Sequence, residues 1–309
     1  MQKPVKPEPN RLNGWLNFNK PVGMTSAEAV GYLKRTLNVK KIGHGGTLDP
    51  LADGVLPIAI GVATKTMQFT LDADKTYEFT ITFGQQTTTD DAEGEVLYSS
   101  DKRPIQAELE KILPKFTGKV SQLPPNFSAL KVNGQRAHKL ARSGQEVKLE
   151  ARSIIVYTLE LLEFTEEAAV LRAKVSKGTY IRSLARDIGG MLGCYGYVTT
   201  LKRTQAGAFS IKNSVTPQDV DNFVDTYAEN RQISQTQAEI LLQPVDVVLA
   251  DIPVYIATPL ETTLIRGGKV LRRIHLPAGK RQVHDRDRRM VSLIEVDEEG
   301  DMHIIRNFE

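Results

Sequence analysis

Gly43-His44-Gly45-Gly46-Thr47-Leu48-Asp49-Pro50-Leu51-Ala52-Asp53-Gly54-Val55-Leu56-Pro57 is the most heavily punctuated stretch of the chain, and the apolar run Ile58-Ala59-Ile60 follows it directly. Glycine admits backbone angles and close approaches that a Cβ forbids, and proline fixes φ and removes a donor. The stretch reads as a shaped loop, and 58–60 as a buried element that holds it still. Shaped loops on rigid supports are where catalytic side chains sit. Taken alone, the stretch leaves two roles open for its aspartates: an Asx turn capping a neighbouring backbone N–H, or reactive chemistry.

On the N-terminal side, residues 1–13 hold three prolines and several charges and read as a disordered lead-in. Trp15-Leu16-Asn17-Phe18 is a short strand, followed by a turn at Asn19–Met24. Thr25 and Glu28 stand three apart in a capping box, and Val30, Leu33 and Leu37 follow at helical spacing, which predicts a helix over 26–38. On the C-terminal side, residues 76–83 alternate, with Tyr77, Phe79, Ile81 and Phe83 on one face, so they form a half-buried strand. Tyr77 at its start is either a core aromatic or a ring offered to a ligand. Gly84–Gly94 is a polar, acidic loop with a return strand at 94–98. Residues 104–116 form a helix with Pro104 in its first turn.

Residues 124–148 carry Lys131, Arg136, Lys139, Arg142 and Lys148 against a single acid, Glu146, with His138 among them. Such a run is a solvated surface loop or a basic arm that grips phosphates. Two strands follow, 152–164 and 168–175. Ser176-Lys177-Gly178-Thr179-Tyr180-Ile181-Arg182 then leads into a helix with Ile181, Leu184, Ala185 and Ile188 on its apolar face. A cation near a helix start opposes the dipole, so Arg182 needs a carboxylate partner, either Asp187 nearby or an acid from elsewhere. A strand at 197–204 and short helices at 217–225 and 236–242 complete the larger part, and Pro244 marks its boundary. Residues 266–289 carry nine Lys/Arg against two acids, and 295–301 carry five acids. This polarity, with alternating apolar positions, predicts a small β appendage with one basic side and a nucleic-acid partner.

With 309 residues, 40% hydrophobic and 25% charged, the chain has the composition of a globular protein of two domains or one large domain with an appendage. A net charge of +3 confines any polyanion site to a local patch. Cys194 is the one cysteine, so neither an internal disulfide nor a cysteine zinc site can form, and it reads as a buried small hydrophobe. No apolar leader and no run of about 18 apolar residues is present, which predicts a cytoplasmic protein without a membrane span. Gly61-Val62-Ala63-Thr64-Lys65-Thr66 lacks the glycine beside lysine that a phosphate-binding loop requires, which argues against a nucleotide-handling enzyme. A non-enzymatic RNA chaperone remains a second class, and it predicts that Asp49 is dispensable.

Five segments in order resemble the TruB family of tRNA pseudouridine synthases: Phe18–Ser26, Gly43–Gly54, Asp74-Lys75-Thr76-Tyr77, Ser176–Arg182 and Leu201-Lys202-Arg203. The resemblance spans roughly residues 14–245 and, more weakly, the tail. It implies an α+β fold, a mixed and mainly antiparallel sheet of the pseudouridine synthase type flanked by helices and loops. A catalytic domain would occupy 14–249, with an RNA-clasping insertion at about 124–148 that includes Lys131, Arg136, Lys139 and Arg142. A small C-terminal β-rich domain of PUA type would occupy 250–309. The implied activity is isomerisation of uridine 55 in the T-loop of tRNA. That reaction changes no oxidation state and imports no atom, so no cofactor and no metal is expected, and since nothing in the sequence requires a dimer the expectation is a monomer. The resemblance assigns Asp49 as catalytic carboxylate and Arg182 as its partner, Tyr77 as the ring stacked on the flipped base, and His44 as an RNA contact; a bidentate grip by Arg182 would fix the aim of the carboxylate. It assigns Tyr180 to the base edge or ribose, Leu201 beneath the base, and Lys20 to supporting the site from the first turn.

Overall fold

A computed structural model describes residues 8–128, 130–132, 135–136, 149–229, 232–271 and 276–308. In chain order the elements are β1 (Gly14–Lys20), α1 (Ser26–Thr36), β2 (Ile42–His44), β3 (Asp53–Ile60), α2 (Met67–Asp72), β4 (Lys75–Phe83), β5 (Gln85–Thr87), β6 (Val96–Ser99), α3 (Gln106–Ile112), β7 (Gly118–Gln122), β8 (Lys131–Val132) and β9 (Gln135–Arg136). After these come β10 (Arg152–Phe164), β11 (Ala168–Val175), α4 (Ile181–Leu192), β12 (Gly196–Ala206), β13 (Phe209–Ser210), α5 (Pro217–Tyr227), α6 (Gln235–Ala238), β14 (Val254–Ile256), α7 (Pro259–Arg266), β15 (Gly279–His284), β16 (Met290–Val296) and β17 (Met302–Asn307). The expected α+β class, with a mainly antiparallel sheet, is what the chain adopts. Among the described residues no helix is long and apolar enough to cross a membrane.

A nine-stranded sheet runs β1-β3-β12-β4-β11-β10-β7, with β2 on β3 and β13 on β12. Alternation explains which parts of it are covered. On β1 and β3, Leu16, Phe18, Leu56, Ile58 and Ile60 enter the main core, while Trp15, Val55 and Ala59 pack with Phe209 on the opposite face. Both faces are buried there, so β3 reads as a continuous apolar run. On β4, Phe79, Ile81 and Phe83 are buried, and the other face is wetter. Thr80–Thr200 and Thr82–Thr199 hydroxyl pairs and an Arg172–Glu78 ion pair of 2.7 Å lie across the strands on that side.

Several expectations shift. Asp53–Pro57, read as loop, are the first residues of β3, and only 45–52 remain irregular. Pro57 is tolerated inside the strand because its carbonyl is what the neighbour uses: it accepts from Gly45 N at 2.7 Å. The capping box at Thr25 and Glu28 forms, and α1 ends at Thr36. Pro104 precedes α3 rather than opening it, and residues 113–116 continue as a 3-10 turn. The disordered lead-in expected over 1–13 does not extend to its end. Asn10 and Leu12 are buried, and the Asn10 side chain donates to Leu37 O at 2.8 Å, satisfying a carbonyl at the end of α1.

The tail forms its own four-stranded sheet, β14-β15-β16-β17, with a separate core of Ala257, Ile265, Val283, Val291, Ile294, Val296 and Met302. Helix α7, capped by Thr258 and Glu261, packs there and has no counterpart in the sequence reading. Hydrogen bonds from Gln282 to Leu249 O and Ile252 O, at 2.9 and 2.8 Å, and from Lys65 to Asn307 O at 2.7 Å, tie this sheet to the rest.

Candidate active site

Register brings the site together. Gly54 pairs with Arg203, Arg203 with Tyr77, and Tyr77 with Ala173, so one row crosses β3, β12, β4 and β11. The loop carrying Asp49 precedes β3 at this end, and the Ser176–Tyr180 segment leaves β11 here. Between them lies a cleft of about 270 Å³, walled in part by Asp49, Tyr77, Tyr180, Arg182, Leu201 and Arg203.

Arg182, at the second position of α4, is almost wholly buried, and its guanidinium has four partners. Nε meets Asp49 Oδ2 at 2.9 Å, and Nη1 meets Asp91 Oδ2 at 3.3 Å. Nη1 also donates to Thr89 O and Nη2 to Phe127 O, each at 3.0 Å. The expected bidentate grip on Asp49 is therefore a single contact. The other lobes of the fork are taken by a second carboxylate and two carbonyls, which aims the guanidinium from three directions. Asp187, the nearby alternative, pairs instead with Arg186 at 2.9 Å, and Arg186 also reaches Asp90 at 2.9 Å. Burial raises the carboxyls of Asp90 and Asp187 above their usual range, against the pull of Arg186.

Asp49 retains an open side: its side chain is 35% exposed, whereas that of Asp91 is 2% exposed. A carboxylate that is aimed from behind and open in front can meet a ligand, while Asp91 cannot. The loop is held through its backbone. Ser26 Oγ accepts from Leu48 N at 2.8 Å and donates to Leu48 O at 3.0 Å, and Gly23 N donates to Pro50 O at 2.8 Å.

Tyr77 and Leu201 line the cleft, with Tyr77 half-buried at the start of β4. Tyr180 lines it as well. Its backbone N–H donates to Gln122 Oε1 at 2.8 Å and its carbonyl accepts from Gln122 Nε2 at 3.1 Å, while the Arg152 guanidinium lies over its ring at 5.2 Å from the centroid. Two expected site residues are not among those lining the cleft. Lys20 is fully buried, with Nζ donating to Pro21 O and Met24 O at 2.8 and 2.7 Å, so it holds the first turn rather than offering itself to substrate. Burial pushes its ammonium down to about 8. His44, on β2, keeps a buried Nδ1 without a hydrogen-bond partner among the described residues, and burial reinforced by the Arg203 charge holds its imidazole below the ordinary value.

The family models match over most of the chain. Residues 34–181 match the TruB family pseudouridylate synthase N-terminal domain, and residues 182–250 match the tRNA pseudouridylate synthase B C-terminal domain. A protein of Ehrlichia canis (strain Jake), tRNA pseudouridine synthase B, is 55% identical over 207 residues, covering 66% of this chain and 69% of that one. The protein of the same name from Brucella ovis is 44% identical over 243 residues, 74% of this chain and 75% of that one.

The chain belongs to the TruB family of pseudouridylate synthases.

Solved structures extend the likeness of fold beyond the matched domains. The archaeal box H/ACA sRNP Nop10-Cbf5 complex contains a chain that superposes with a TM-score of 0.73 at 24% identity, covering 97% of this chain and 87% of that one. A Cbf5-Nop10-Gar1 complex gives 0.72 at 24% identity, covering 100% and 91%. The TruB family models stop at residue 250, and the likeness of fold to the Cbf5 chain, which covers 97% of this chain, continues past that point.

The TruB-type motifs pointed to Asp49 and Arg182, but the sequence reading passed over Asp91, Gln122 and Ser26. Asp91 sat in a loop read only as acidic and polar. The available signal was complementary: Arg182 needed a carboxylate, and Asp90-Asp91 is the densest acidic pair in that loop. Of the basic insertion, Lys131 and Arg136 fall on the β8–β9 pair, while Lys139 and Arg142 lie outside the described residues. Its first residues are anchored rather than solvated. Pro124 and Pro125 are buried, and Leu123 O accepts from Ser183 at 2.8 Å and from Arg186 at 2.9 Å.

Proposed function

We propose that the chain isomerises uridine 55 in the T-loop of tRNA to pseudouridine, acting as a cytoplasmic monomer on the T-arm stem-loop, with Asp49 as the catalytic carboxylate and no cofactor. The observation that carries this reading is the contact of 2.9 Å between Asp49 and the buried Arg182, beside Tyr77, Tyr180 and Leu201 in one cleft. The relatives from Ehrlichia and Brucella bear the name of this activity.

The isomerisation breaks the bond between ribose C1′ and uracil N1 and forms one between C1′ and C5. The C5 proton leaves and N1 gains a proton, so no atom is imported and no electron is gained or lost. A carboxylate serves this route as nucleophile, at C6 or C1′, or as the base of an elimination. Both uses need an aimed oxygen, and the Arg182 contact aims it from behind. The target nucleotide must leave its stack, at a few kcal/mol. Stacking on Tyr77 offsets about 1–3 kcal/mol of that. Tyr180 and Leu201 complete the walls around the base, and His44 meets the RNA outside the cleft.

In this reading residues 14–249 are the catalytic domain, and the insertion at 124–148 clasps the RNA through Lys131, Arg136, Lys139 and Arg142. Residues 250–309 form a PUA-like RNA-binding unit. Exposed Arg286, Arg288 and Arg289 at the β15–β16 turn are the charges it presents to phosphate. Release of tritium from a T-arm hairpin labelled at C5 of the target uridine tests the function. The wild type releases it and Asp49→Asn does not. Release by Asp49→Asn at a comparable rate overturns the assignment, and absence of release by the wild type overturns the activity.

A further inference from the structure

Arg203 is a buried cation that the mechanism above leaves unused. It is 1% exposed and forms part of the cleft wall. Its three nitrogens diverge onto backbone carbonyls: Nε donates to Val55 O at 2.7 Å, Nη2 to Gly46 O at 3.0 Å and Nη1 to Thr47 O at 3.4 Å. No carboxylate forms an ion pair with it among the described residues. Burying a guanidinium against neutral acceptors alone is a costly way to close a loop, and an amide side chain would serve stability more cheaply. What a guanidinium uniquely offers is a rigid fork that fixes several acceptors relative to one another.

Two of these three acceptors, Gly46 and Thr47, lead to Leu48 and Asp49. Gly46 has φ of +130°, a conformation that L side chains rarely adopt, so glycine is what lets the loop turn there. On the far side, Ser26 holds both backbone groups of Leu48. The Arg203 backbone is held in the sheet between β3 and β4. It sits on β12 where that strand runs parallel to β3, opposite Gly54, and a Cβ on Gly54 would stand 2.3 Å from the Arg203 carbonyl oxygen. Sheet, fork and loop thus form one rigid chain that ends at the Asp49 carboxylate.

We propose that Arg203 is a positioning residue for the isomerisation: by setting the Gly46 and Thr47 carbonyls it fixes where Asp49 stands in the cleft relative to the reacting nucleoside. The proposal rests on the reading of Asp49 as the catalytic carboxylate. Arg203 touches no reacting atom, so its loss should appear in the chemical step and not in RNA affinity.

The test uses the full chain and the C5-tritiated T-arm hairpin. Single-turnover release is measured for wild type, Arg203→Lys and Arg203→Gln, with hairpin affinity measured separately. Rates are divided by the folded fraction read from the emission of Trp15. Arg203→Lys keeps the charge without the fork and should lose about tenfold or more in rate, and Arg203→Gln about a hundredfold, the scale of a misplaced reacting group. Affinity for the hairpin should stay within about threefold for both. If Arg203→Lys keeps the wild-type rate per folded molecule, or if rate and affinity fall together, the positioning role is overturned. If one variant fails to fold, the other decides by the same criterion; if both fail, Arg203 is a folding residue and the proposal is wrong. A wild type without activity overturns the proposed function and this role with it, whereas an active wild type beside a full-rate Arg203→Lys overturns only the role of Arg203.

Discussion

Asp49 and Asp91 share one arginine, yet replacing each by asparagine should have opposite consequences. Asp49 is 35% exposed and makes one contact with Arg182, which keeps Asp91, Thr89 O and Phe127 O when that contact is gone. Solvent screens the open Asp49 end of the pair, and the buried Arg182 end keeps three other partners, so the loss is that of a screened pair, about 1 kcal/mol. Asp49→Asn should therefore unfold within about 1 kcal/mol of wild type and bind the T-arm hairpin normally, but release no tritium. Asp91 is 2% exposed and, besides Arg182, accepts from Thr89 Oγ and from Glu93 N at 3.0 Å. Its asparagine variant leaves a buried guanidinium with only a half-open carboxylate for a counter-charge, and breaking a buried pair costs about 3–5 kcal/mol. Because Asp49 still neutralises part of that charge, the lower end applies, about 3 kcal/mol, a large share of the stability of an ordinary domain. Urea unfolding followed by the emission of Trp15, the one tryptophan and fully buried against Phe209, measures both. Equal destabilisation by the two substitutions would refute the division of roles, as would turnover by Asp49→Asn.

Tyr77→Ala should lose about 1–3 kcal/mol of stacking, seen as a roughly 5- to 150-fold slower single turnover, while Tyr77→Phe stays near wild type; equal losses would remove the ring from the role of stacking platform. The folded His44 imidazole titrates below its unfolded value of about 6.5. Its neutral form then contributes stability that is complete above pH 6.5 and is lost as the pH falls toward the folded pKa, at no more than about 1.4 kcal/mol per pH unit for one proton. Urea unfolding at pH 7.5 and pH 5.5 should show His44→Gln losing less stability than wild type, and parallel losses would contradict the buried neutral imidazole. Gly54→Ala forces a methyl to 2.3 Å from Arg203 O at a φ of +100°, and should destabilise by about 3 kcal/mol or more, measured by the same unfolding. Hairpin affinity should fall steeply with salt, since phosphate contacts release counterions, and a flat dependence would count against the basic insertion and tail as RNA contacts.

Strand and helix positions were legible wherever the signal is short-range. The Thr25–Glu28 capping box, the alternation over β4, and the limits of β10 and β11 all follow from residues two to four apart. Boundaries slipped where tertiary contacts overrule local chemistry. Pro57 lies within β3 because Gly45 uses only its carbonyl, and residues 8–13 are ordered because Asn10 finishes α1. The site was legible as residue types: a carboxylate in a shaped loop and an arginine placed against its helix dipole. Its geometry was not legible, because nothing local records that Tyr77 and Leu201 line the cleft while His44 is absent from its lining, or that Asp91 shares Arg182 with Asp49.

By itself the sequence determined the strands and helix caps, a glycine-rich loop holding two aspartates, and an arginine at a helix start that needs a carboxylate partner, because periodicity, caps and turn residues act over a few positions. The mainly antiparallel α+β fold and the role expected of Asp49 came from the resemblance of five separated segments to the TruB family. Tertiary structure alone decided that Arg182 is shared between two carboxylates, one open and one sealed, and that its remaining donors reach carbonyls 93 and 55 residues away. Partners so far apart in the chain leave no mark on each other's neighbourhood. Which of several acids meets a given guanidinium is set by strand register and burial, and these exist only once the sheet has closed.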